Sequence, residues 1–139
     1  MKQLRNNVKK KLGKLAWLRS NQTKNSSTKM LIALSIVVFL AAQTLAWLQI
    51  NGQFIWPWAK DHRVLLSLVG VPISYLLMVA SDFAYDGMDG KLWPGRFLAF
   101  AIGMFVFTIL TSTLLGEGIT VKSGVSLFLA VVIIVLQLI

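Results

Sequence analysis

Few of the side chains in this sequence that hydrogen-bond or titrate stand where apolar sequence surrounds them. Gln43, Trp47, Thr108, Thr111 and Gln137 are such residues. An amide or hydroxyl in hydrocarbon either bonds back to its own helix or offers itself to a polar solute, because leaving it unpartnered is costly. The five are read as the lining of a solute path, with Trp47 one helical turn beyond Gln43 as an aromatic wall. None of them ionises at neutral pH, so proton-coupled work is not expected of them. No catalytic residue is assigned either: there is no nucleophile with a base, no cysteine, a single histidine (His62) and no phosphate-binding glycine loop. No cofactor and no metal site is expected. Asp82, Asp86 and Asp89 are spaced as oxygen ligands of a hard cation could be, but their Asp-Gly pairs are turn formers. A turn is expected there, with Arg96 paired to Asp86 or Asp89. Glu117 is expected to cap the last helix or to pair with Lys122.

The elements that must position these groups are helices in lipid. Between Lys29 and Lys60 no Asp, Glu, Lys or Arg occurs, and three further charge-free apolar runs follow. Roughly 20 apolar residues at about 1.5 Å each cross a hydrocarbon layer of about 30 Å. The spans are placed at residues 30–50, 64–81, 97–115 and 123–139, giving an all-α integral membrane protein with a four-helix transmembrane domain over 30–139. Short connections make neighbouring helices antiparallel. Hydrophobic residues make up 56% of the chain and charged ones 14%, too apolar a balance for a soluble domain of this length. The first run begins too late and is too long for a signal peptide, and is expected to remain as the first span.

The net charge of +9 resembles a nucleic-acid signal until its location is seen. Nine of the fourteen Lys and Arg precede Met30. Residues 1–29 are therefore read as a basic cytoplasmic tail, in which residues 4–19 suit an amphipathic helix lying on anionic lipids and 21–28 (NQTKNSST) suit a linker. Nucleic acid is not expected as a partner. Nine basic residues in the tail with Lys91 and Arg96 make eleven on one side, against Lys60, Arg63 and Lys122 on the other. That bias puts both termini in the cytoplasm, in the plasma (inner) membrane. Trp56, Trp58, Trp93 and Arg96 are expected as interface anchors, and Pro72 as a kink in the second span. Ser67, Gly70 and Ser74, with Gly103 opposite, are expected to form the close helix-packing face.

An Ala46-Trp47 pair near the end of the first span and Leu115-Gly116-Glu117-Gly118-Ile119-Thr120 between the last two resemble the small four-helix members of the drug/metabolite transporter superfamily, the small multidrug resistance-like fold. The resemblance covers residues 30–139. It implies a transporter-like fold and, in exporters of that type, a first-helix glutamate that exchanges drug cations for protons. Here the polar residue in that helix is Gln43, so the implied exchange lacks its titrating group. The expectation is a passive or partner-dependent solute path, with a homodimer or a larger membrane complex as its protein partner. A non-catalytic accessory or structural subunit and a pore-forming lysis protein are the alternatives.

Overall fold

A computed structural model describes residues 2–138 of the chain; the side chains at 2, 4, 5, 7, 8, 133, 134, 137 and 138 lie outside the described part. Its first helix, α1, runs unbroken from Lys2–Ile55, about 80 Å at 1.5 Å per residue. The expected linker at 21–28 is thus helical. Those residues include neither Gly nor Pro, and Thr23 Oγ1 donates within its own helix to the carbonyls of Arg19 (3.1 Å) and Ser20 (2.9 Å). Polar side chains satisfied this way leave the backbone ladder intact, so a polar composition alone does not end a helix.

What ends α1 is Pro57. The residue before a proline is pushed out of helical conformation, and Trp56 is extended at φ −114°, ψ 119°. Pro57 then opens the short α2 (Pro57–Asp61), where its missing N–H costs nothing. From there α3 (Arg63–Gly87) passes Pro72 without a break. It stops at Gly87, after which Asp89 (φ 52°) and Gly90 (φ 75°) take left-handed conformations. Gly90 N–H closes this turn on the Tyr85 carbonyl at 2.9 Å, the expected turn reduced to residues 88–91. Helix α4 (Leu92–Leu114) carries Pro94 in its first turn, where the backbone N–H would have no helical partner. It ends before Gly116, at φ 67°. Thr120 starts α5 (Val121–Leu138): its Oγ1 accepts from Ser123 N–H at 3.2 Å and lies 2.9 Å from Ser123 Oγ. Thr120, rather than Glu117, is therefore the cap.

Helices α1, α3 and α4 hold long apolar windows, each sufficient to cross a bilayer; α5 holds a shorter stretch, Val121–Val132. Among the described residues there is no strand. The chain is thus a helical membrane protein. Its core lies on the seams of α1 with α3 and α4, where Phe39 is 2% exposed and Ala42, Ala80 and Ala84 are 1% or less. Among the described residues α5 packs on α4.

Small residues set the closest approaches, though not along the expected line. The buried positions of α3 are Ile73, Ala80, Ala84 and Gly87, about a third of a turn away from the Ser67, Ser74 and Ser81 line at 100° per residue. Ser67 and Ser81 are exposed and donate back to the Arg63 and Leu77 carbonyls, both at 2.8 Å, and Ser74 is exposed as well. Alanine and glycine admit a neighbouring backbone without burying a hydroxyl, and so take the seam. A Cβ on Gly87 would stand 2.9 Å from Ile32 Cγ1 and 3.2 Å from the Ile32 backbone nitrogen. Of the expected packing residues, Gly70 meets Gln49 and Gly103 meets Gln43, both on α1.

Candidate functional site

Two residues of α1 reach across to α4 at successive turns. Gln43 Nε2 donates to the Ala99 carbonyl at 3.5 Å, and its amide covers Gly103, where a Cβ would come within 3.1 Å. One turn on, Trp47 Nε1 donates to Thr111 Oγ1 at 3.1 Å. Trp47 is 4% and Thr111 9% exposed, so this bond is dry. Helices α1 and α4 run parallel, the reversed α3 lying between them in the chain, so Gln43 meets the early half of α4 and Trp47 its late half.

Cavities lie on either side of that pair. At the end where α3 turns into α4, a cavity of about 590 Å³ opens between α1, α3 and α4. Gln43 and Phe39 stand on its α1 wall, Ser81 and Tyr85 on α3, and Lys91 and Arg96 at the start of α4. At the opposite end, a cavity of about 320 Å³ between α4 and α5 is lined by Thr108, Thr111, Ser112, Glu117, Lys122 and Ser123 among others. Along α4 the first cavity extends as far as Ala99 and the second begins at Met104. Gln43 covers this interval at Gly103, whereas the Trp47–Thr111 bond lies about two turns further along α4, at the wall of the second cavity.

A third recess of about 560 Å³ has a nearly wholly apolar wall, with Ile36 and Leu40 of α1, Phe105 of α4, and Leu127 and Val131 of α5.

The expected path residues are thus distributed over the two cavities and the α1–α4 contact. Trp47 and Thr111 come together; Gln43 floors one cavity; Thr108 lines the other while donating to the Met104 carbonyl at 2.8 Å. Gln137 lies outside the described side chains. The sequence reading missed Ser81, Tyr85 and Lys91 as cavity residues, although a hydroxyl, a phenol and an amine flanking one turn are a detectable cluster. The expected anchors are exposed at both ends: Trp58 stacks on His62 (4.9 Å between rings) beside Trp56, and Trp93 on Phe97 (5.9 Å) beside Arg96. Arg96 does not pair with Asp86 or Asp89. Asp89 instead meets Lys24 of α1 at 3.8 Å, both side chains being 76% exposed. Such a solvated pair contributes at most about 1 kcal/mol. The chain matches no protein-family model, no curated protein and no solved structure, so its function is read from this geometry.

Proposed function

We propose that this chain is a four-span membrane protein of transporter-like fold, a solute path without proton coupling that rests closed at the Trp47–Thr111 bond. In this reading α5 is the fourth span, both termini are cytoplasmic, and the Lys91/Arg96 cavity faces the cytoplasm. The basic half of α1 lies at or on the anionic inner leaflet. One observation carries the proposal: two cavities with amide, hydroxyl and charged groups in their walls lie toward opposite ends of α4, and α1 reaches α4 through Gln43 at the inner end of the first and through Trp47 at the wall of the second. A protein with only a packing role has no need of polar groups in recesses toward both ends of one helix. Side-chain bridges of this kind are each worth roughly 0.5 to 2 kcal/mol in a membrane, little enough for thermal opening.

The test is release of small polar solutes from vesicles holding the purified chain. Trp47→Ala should raise release at least tenfold over the unaltered protein, and Gln43→Leu should abolish it. Equal release from all three excludes the path. The apolar recess between α1, α4 and α5 favours a second reading, an accessory subunit whose larger partner fills it; co-purification of one membrane protein in fixed ratio, lost on Leu127→Arg, would identify that case.

A further inference from the structure

The cavity that ends at Gln43 has an uneven chemistry. Its mouth carries Lys91 and Arg96 and no acid lines it. Neither cation has a carboxylate within 4.0 Å among the described residues, and Asp89 of the adjoining turn is paired with Lys24. Phe39, which is buried, and Leu77 give the cavity an apolar wall, and the exposed Tyr85, Leu92 and Trp93 line it together with the two cations. A volume of about 590 Å³ falls within the roughly 300–1,000 Å³ of small-molecule sites and far exceeds the needs of a bare inorganic anion.

The geometry points to this cavity as a binding site for a phosphate ester with an apolar body, its headgroup held between Lys91 and Arg96 and its tail along Phe39 and Leu77. A guanidinium offers a planar fork that matches phosphate oxygens, and an ammonium adds a point charge beside it. A cationic solute would meet two unopposed positive charges at the mouth. The apolar wall disfavours a small hydrophilic anion, because it leaves that wall wet. The same chemistry arrives either as a bilayer phospholipid entering sideways or as a single-chain phosphate from water. This inference rests on the solute-path reading only in making the cavity a ligand site; the binding itself requires no passage.

The full chain, purified in a neutral maltoside detergent, is titrated by native mass spectrometry with phosphatidylglycerol, phosphatidylcholine and n-dodecyl phosphate. One tight site is expected for phosphatidylglycerol, dodecyl phosphate or both, at least tenfold tighter than phosphatidylcholine and weakening as salt is raised. Preference for phosphatidylglycerol assigns the site to membrane lipid, and preference for dodecyl phosphate to a soluble ester. The double variant Lys91→Gln with Arg96→Gln should lose at least tenfold in affinity while keeping its helical circular dichroism, and Arg96→Lys should retain most of it. A tail variant, Lys9, Lys10, Lys11 and Lys14 all →Gln, should keep the tight site. Affinity within twofold of the unaltered chain in the double variant, loss confined to the tail variant, or equal binding of phosphatidylcholine each overturns the assignment. Headgroup binding that persists while Trp47→Ala leaves solute release unchanged removes the path and leaves this site; the reverse result removes this ligand and leaves the path.

Discussion

The indole N–H of Trp47 is satisfied by Thr111, sixty-four positions away in the chain. Replacing Thr111 by Val keeps the shape and removes the acceptor, so a buried donor loses its partner. Thr111→Val should therefore lower stability to unfolding in detergent by about 1 kcal/mol, while Thr113→Val, on an exposed side chain that bonds to its own helix, should leave it unchanged. Equal effects would show that the bond is not formed. Both members of the pair were legible as polar groups in apolar sequence. Their pairing was not, since it depends on the register of α1 against α4, which no local pattern encodes. The serines of α3 misled for a related reason: in lipid, small size marks a seam, but a hydroxyl that bonds back to its own turn is equally content facing outward.

Helix α1 shows which local signals decide an element. Its span was plain from the absence of charge, and its end from Trp56-Pro57; its continuity through 21–28 was not, because Asn, Ser and Thr lower helix propensity by only about 0.5 kcal/mol each. With residues 2–24 reaching beyond the Lys24–Asp89 contact by roughly 35 Å, this half and the buried half should uncouple. Ser26→Pro should lower the helical circular dichroism signal without altering the melting of the bundle; a matching loss of bundle stability would mean that the exposed half supports it. The α1–α3 seam should behave oppositely. Gly87→Val places a methyl against the Ile32 backbone, and overpacking of this sort costs roughly 1–3 kcal/mol. Gly13→Val, with open space around it, should leave stability unchanged or raise it slightly, since Val is the better helix former of the two. The start of α5 was written in the sequence as Thr120 three residues before Ser123, a capping pattern that the neighbouring Glu117 obscured.

For the molecule as a whole, charge and hydropathy made the membrane address and the helical class readable. The packing of α5 on α4 was not readable, because lipid-facing and protein-facing helix sides are equally apolar and leave no stripe to follow. The same feature of the sequence, the lack of Asp, Glu, His, Lys and Arg within the runs, predicts that an imposed pH gradient will not drive solute release; release driven by the gradient would require a titrating group at mid-depth, between the charged residues that line the two cavities. The central claim is that two cavities open to opposite faces of the membrane and are held apart by Trp47 and Thr111. The absence of cysteine allows it to be tested with one introduced thiol at a time and a membrane-impermeant thiol reagent on intact and permeabilised cells. Ser112→Cys should react in intact cells and Gln43→Cys only after permeabilisation, with Gln43→Cys becoming reactive from outside once Trp47 is Ala. Reaction of both from the same face, or of neither from any, would contradict the account.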